Sequence, residues 1–282
     1  MRTLTRTCTP LFIFAAGTIV AGCTTENAVA PVAAASFARA GYDEPGVHRQ
    51  YGTPTKVGDG KARTYVVLDA KAGNTPLEVG IALDATALQG LPDDNAEHSY
   101  LLPMPAHGPS PYQFAELDWN PHGHPPLGIY NIPHFDFHFY TISREEWSTI
   151  TPGPTFAARA NKLPTGSYMA PMYVVPGPPA LVAVPYMGVH WINPTSPEFN
   201  RQVFTKTFIY GSWNGRYIFY EPMITRAYLL SQPNDVVTSI PTPALRPLAG
   251  YYPSAYRVTY DAQAKEYRVA LTQLSYSQAG AP

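Results

Sequence analysis

"PHFDFHFY", residues 133–140, alternates strictly between two kinds of side chain: Phe135, Phe137 and Phe139 share one parity, and His134, Asp136, His138 and Tyr140 share the other. Successive side chains of a β-strand point to opposite faces. The stretch therefore reads as a strand with an aromatic face for a core and a polar face equipped for chemistry.

The same texture extends on either side. "PLEVGIALD" (76–84) sets Leu77, Val79, Ile81 and Leu83 on one face at period two, and "ARTYVVLD" (62–69) reads as a strand before it. "YQFAELDWN" (112–120) opposes Ala115, Leu117 and Trp119 to Glu116 and Asp118. "FTKTFIYGSWNGRYIFYEPMIT" (204–225) is a hairpin about Asn214-Gly215, a dipeptide suited to a two-residue turn. Its register, counted from the turn, pairs Trp213 with Arg216 and Glu221 with Phe208. "AYRVTYD" and "KEYRVALTQL" form a last pair around a turn at 261–264, and "APMYVVPGPPALVAVPYMGVHWIN" (170–193) reads as two strands broken by Pro176 to Pro179. "SREEW" (143–147) has Ser143 and Glu146 at capping-box spacing, which starts a short helix, and "ATALQGLP" adds one turn.

Composition agrees. Of 282 residues, 14% are charged, against a usual value of about 25%, and the 31 prolines are about twice the usual share. Proline breaks helix interiors, so long helices are not expected. The expected fold is mainly β, an antiparallel sandwich or partly closed barrel with one or two short helices, in one domain over residues 48–282. A formal net charge of -1 carries no electrostatic footprint for nucleic acid.

The amino terminus predicts the compartment. "MRTLTRTCTPLFIFAAGTIVAGC" has Arg2 and Arg6, an apolar run from Leu11 to Val20, then Ala21, Gly22 and Cys23. This is a secretory leader over 1–22, and "VAGC" resembles the lipobox of bacterial lipoproteins, which implies lipid attachment at Cys23 and anchoring to an outer membrane in the cell envelope. The Ala-rich segment 23–47 reads as a tether. The chain has two cysteines, Cys8 and Cys23, one lost with the leader and one acylated. Thiol catalysis and thiolate metal sites are thereby excluded from the mature domain.

Any metal must then be held by nitrogen and oxygen. His122, His124, His134 and His138 fall within one window of a chain that has eight histidines. Imidazole is the commonest metal ligand and titrates nearest neutrality. His134 and His138 lie about 13 Å apart along a regular strand, too far to share one ion. Two-residue spacings suit chelation better: His122 with His124 in "HGH", His134 with Asp136, and Asp136 with His138. His190, ending the apolar run "MGVHW", is a further ligand candidate, and Glu221 in "YEPMIT" is a carboxylate on the aromatic hairpin. The candidate metal ligands are therefore His122, His124, His134, His138 and His190, with zinc the default divalent ion. Asp136 and Glu221 are the candidates for handling protons, and Asp136 also suits a partner that orients a ligating ring. Against this stands a half-buried strand whose polar face meets only water and neighbours, with His190 a satisfied core histidine and Glu221 paired to Arg216 or Arg226.

The absence of a G-x-S-x-G elbow, a P-loop and an H-E-x-x-H helix removes the common hydrolase and nucleotide motifs. Two classes of function remain. One is an anchored metal-binding protein able to support metal-assisted hydrolysis; the other is a non-catalytic binding or self-assembling module, a homo-oligomer, built on the 13% aromatic content.

"LDWNPHGHPPLGIYNIPHFDFHFY", with "MGVHWINPTSPEF" and "YEPMITRAYL" downstream, is similar to a family of uncharacterised bacterial exported proteins and lipoproteins that has a Thermus structural representative. The similarity spans Arg63 to Leu230. It implies a β-rich fold and self-assembly, and it marks His122, His124, His134, Asp136, His138 and His190 as motif positions without roles.

Overall fold

The computed structural model describes residues 46–280. The leader, Cys23 and nearly all of the tether lie outside them. The strands in chain order are β1 (Val47–Tyr51), β2 (Thr55–Val57), β3 (Gly60–Asp69), β4 (Thr75–Asp84), β5 (His98–Pro103), β6 (Phe114–Asn120), β7 (His134–Tyr140), β8 (Val189–Trp191), β9 (Lys206–Trp213), β10 (Arg216–Thr225), β11 (Val236–Ser239), β12 (Gly250–Tyr252), β13 (Ala255–Asp261), β14 (Glu266–Thr272) and β15 (Ser275–Ser277). One sheet runs β1-β3-β4-β14-β13-β11 with β2 added to β3; the second runs β5-β6-β7-β10-β9-β8; β12 and β15 form a small ribbon. All named pairings are antiparallel and neither large sheet closes, so the fold is a β-sandwich rather than a barrel.

Alternation drives the sandwich. Phe135, Phe137 and Phe139 of β7 are fully buried and pack with Leu117, Phe208 and Tyr220 of their own sheet and with Val66, Val79, Ile81 and Leu271 of the other. Each buried ring contributes about 1.5–3 kcal/mol by leaving water. The opposite face of β7 is equally withdrawn from solvent: Tyr140 clusters there with Ile142, Ile150, Ala160 and Met187 from the segment that carries three short helices, α1 (Arg144–Ser148), α2 (Phe156–Ala160) and α3 (Pro179–Val182). A fourth, α4 (Arg226–Leu230), follows β10. Ser143 caps α1 by accepting from the Glu146 amide, as its spacing predicts.

Four details depart from the sequence reading. The described residues hold four short α-helices, not one or two. The proline-broken run yields one strand, β8, because Pro179 at a first helical position starts α3 instead. Leu77 is the extra residue of a bulge between β3 and β4 and packs with Tyr65 and Val67 on the outer face, apart from Val79, Ile81 and Leu83. Glu221 pairs with Ile209, not Phe208, because β10 carries an extra residue at Ile218.

Candidate metal centre

The last of these departures builds the site. In a regular hairpin Glu221 would share the inward face of Tyr217, whose ring lies in the core between the sheets. The bulge at Ile218 lets Ile218 and Phe219 both face outward, which resets the alternation: Tyr220 goes to the core and Glu221 to the outer face. Register then gathers the polar side chains. Across β6 and β7, Glu116 stands opposite His138, Asp118 opposite Asp136 and Asn120 opposite His134. Across β7 and β10, Tyr220 pairs with Phe139 and Met223 with Asp136, which brings Glu221 beside His138. His190 arrives on β8, opposite Gly211. A Cβ at Gly211 would strike the Phe219 ring, and that ring walls both His138 and His190, with centroids 4.7 and 5.5 Å away.

Three groups of ligand atoms result: His124, His134 and Asp136; His138, His190 and Glu221; and Glu116, Asp118 and His138. In the first, Asp136 Oδ1 lies 3.2 Å from His134 Nε2 and Oδ2 lies 3.4 Å from His124 Nε2. In the second, Glu221 Oε2 lies 3.2 Å from His138 Nε2 and 3.9 Å from His190 Nε2. Two ligands about 2.0–2.1 Å from a tetrahedral ion stand roughly 3.3 Å apart, so these separations suit a shared cation.

Hydrogen bonding does not explain them. His134 Nε2, His138 Nε2, Asp136 Oδ1 and Glu221 Oε2 are buried atoms with no hydrogen-bond partner. His134 Nδ1 stands 2.7 Å from the Ile132 carbonyl and His124 Nδ1 2.7 Å from the Pro125 carbonyl. A carbonyl only accepts, so Nδ1 holds the hydrogen in both rings. In neutral imidazoles Nε2 then turns its lone pair toward the Asp136 carboxylate, an arrangement that needs a cation between them, a proton or a metal ion. Asn120 Nδ2 donates to Asp136 Oδ2 at 2.8 Å and fixes that carboxylate. His138 Nδ1, 3.1 Å from Asp118 Oδ2, places a carboxylate behind the ring in the way that commonly orients metal-ligating histidines.

The charge balance points the same way. Glu116, Asp118, Asp136 and Glu221 are each at most 4% exposed. Among the described residues, no lysine or arginine pairs with Asp118, Asp136 or Glu221; their close cationic partners are histidines. The outer face of the other sheet is built differently: its buried Glu78 and Glu266 meet Arg257, Arg63 and Arg268. Burying a carboxylate without a cation is strongly unfavourable. The pKa shifts record the strain. Burial pushes Glu221 up and, helped by the Asp118 charge, pushes Glu116 to about 7. For Asp136 burial acts upward, yet His134 and His124 beside it hold it well below the usual carboxylate range. Burial lowers His138, but Glu221 and Asp118 outweigh it and carry the ring well above its usual value. His124 is likewise lowered by burial and raised further by Asp136, to about 9. His190 goes the other way, to about 3, through burial and the neighbouring His138 and His124.

Of these residues His124, Asp136, His138, His190 and Glu221 line a cavity of about 470 Å³ whose remaining walls are mostly apolar, including Val182, Met187, Ile209 and Met223. Glu97 stands at its rim, pushed up to about 7 by desolvation and the charges of Asp118 and Asp136.

The sequence candidates divide. His124, His138, His190, Asp136 and Glu221 meet around this cavity and His134 joins His124 and Asp136, so the candidates form two groups rather than one point. His122 does not. Gly123 has a φ of +68°, and a Cβ there would collide with the Tyr130 to Ile132 backbone; this tight turn sends His124 inward and leaves His122 at the surface, 3.7 Å from exposed Asp93. Glu221 is not paired to either candidate arginine: Arg216 holds Glu146, and Arg226 donates to the Leu88 carbonyl. Glu116, Asp118 and Glu97 were not singled out from sequence. The first two carried a signal, since they share a parity on the strand preceding the histidines; Glu97, in a loop, carried none.

No family model, curated protein or solved structure matches this chain. The roles of these residues accordingly rest on geometry and chemistry.

Proposed function

We propose that this protein is an exported, lipid-anchored envelope protein whose sandwich holds a divalent metal, zinc by default, and uses it to activate water for hydrolysis of a neutral, apolar-flanked substrate. Support for the anchor is the sequence "VAGC" closing an apolar leader. Support for the metal is one observation above the others: three buried carboxylates, Asp118, Asp136 and Glu221, face imidazole nitrogens of His134 and His138 at ligand-to-ligand distances with no hydrogen bond between carboxylate and ring.

His138, His190 and Glu221 would hold the ion, with Asp118 orienting His138; His124, His134 and Asp136 form a second subsite beside it. A bound divalent ion supplies a lowered pKa for its water and polarises a carbonyl oxygen. Glu97, a lining residue pushed up to about 7, stands where a proton can be taken up or released near neutral pH, and Glu116, also at about 7, joins Asp118 in the group around His138.

The substrate class follows from the walls. The cavity lining has no lysine or arginine to receive an anion, and Leu127 and Leu181, the chain neighbours of the lining residues Pro126 and Val182, are 81% and 82% exposed. An uncharged ester, amide or lactone with aliphatic flanks fits this lining.

Metal analysis of the purified protein, followed by chelation and titration with zinc, tests the reading. Bound ion near one or two equivalents and hydrolysis of a neutral aryl ester, lost in His138→Ala, are expected. A protein that neither carries nor takes up a divalent ion ends it, and metal uptake without turnover leaves a non-catalytic metal-binding module.

A further inference from the structure

The residue before Glu221 looks the other way, into a second cavity. Tyr220, Tyr217 and Tyr252 line a space of about 270 Å³ together with Leu245, Leu248 and Arg246. The tyrosine walls are held in place: Tyr252 donates to the Leu248 carbonyl at 2.7 Å, and the Tyr217 hydroxyl accepts from the Ala170 amide at 3.2 Å.

Arg246 has no counter-ion there. It is only 6% exposed, and among the described residues no carboxylate pairs with it. One terminal nitrogen donates to the Pro243 carbonyl, the guanidinium carbon stands 4.9 Å from the Tyr252 ring centroid, and buried Nε has no partner. The other two strongly buried arginines, Arg257 and Arg268, each meet two carboxylates. A buried guanidinium is stabilised by a planar oxyanion that accepts two parallel hydrogen bonds. Rings and leucines around it favour an apolar body attached to that anion.

We infer that this cavity binds a small organic carboxylate, its anionic end on Arg246 and its apolar or aromatic body against Tyr217, Tyr220 and Tyr252. The site is independent of the metal centre. It lies on the core side of β10, and no residue is shared between the two cavities. Its volume suits an acid the size of benzoate.

Calorimetric titration of the purified protein with benzoate, and separately with inorganic phosphate, each with and without added zinc, tests the assignment. Saturable benzoate binding, indifferent to zinc and at least tenfold tighter than phosphate, is expected. Arg246→Met removes the charge and should weaken benzoate at least tenfold. Leu248→Trp, which keeps the charge and fills the space from its half-exposed rim, should do the same and decides the matter if Arg246→Met fails to fold. No benzoate binding, or binding that survives Leu248→Trp, overturns the inference. So does phosphate binding as tight as benzoate, which would mark a bare oxyanion site, and so does benzoate binding that needs zinc, which would place the acid at the metal centre.

Discussion

Asp136 concentrates the chemistry of the site in one side chain. Its two oxygens face His134 and His124, and Asn120 holds one of them. Asp136→Asn removes the charge while keeping the shape, and should lower zinc affinity at the subsite of His124, His134 and Asp136 at least tenfold, measured by competition with a chromogenic chelator. His124 sets the pH dependence. Its folded pKa of about 9 exceeds the ordinary 6.5, so the metal-free native state holds that proton more tightly than the unfolded chain does. The resulting stability is complete below pH 6.5 and is lost as pH rises through 9. A metal ion must displace the same proton, so its affinity rises about tenfold per pH unit between 7 and 9. Thermal unfolding of chelated protein across that range should show a falling Tm, and the slope should flatten in His124→Ala. A chelated protein whose Tm is flat there would show that His124 is not protonated against Asp136.

Among the strands, β10 decides the site. Its bulge turns Glu221 outward, and Gly211 on β9 makes room for Phe219, the ring between His138 and His190. Gly211→Ala should therefore displace Phe219, cost about 1–3 kcal/mol of stability from overpacking, and weaken metal binding at a site it never touches. Calorimetric unfolding and zinc titration of the same variant check both halves. Much of this level was legible in sequence. Alternation in "PHFDFHFY" and "FAELDW" set both faces of β6 and β7, because a strand's period of two has no other reading over seven residues. The face of Glu221 was not legible, since one extra residue inverts every later position and no local signal marks Ile218 as that residue. The outward path of His122 was similarly hidden, because Gly123 permits a turn without specifying its direction. Convergence of β7, β8 and β10 depends on contacts between segments well separated along the chain, which spacing along one strand cannot reveal.

The whole molecule joins a large aromatic core to a small strained centre, and the two respond to different perturbations. Phe137→Ala should lower stability by about 3–5 kcal/mol in denaturant titration, since the ring is fully buried between the sheets. Metal removal should act from the other face. Zinc at about a thousand times its dissociation constant stabilises the native state by about 4 kcal/mol, or roughly 8–16 °C in Tm for a domain of this size. In His138→Ala most of that increment should vanish, and the metal-free variant should itself be less stable, because Glu221 and Asp118 then lose their nearest imidazole. The most direct measurement is an anomalous difference map at the zinc edge from crystals grown or soaked with zinc. A peak about 2.0–2.2 Å from His138 Nε2 and Glu221 Oε2 is expected. A map with no peak among these side chains, the rings instead turned into ordinary hydrogen bonds with the four carboxylates, would contradict the account.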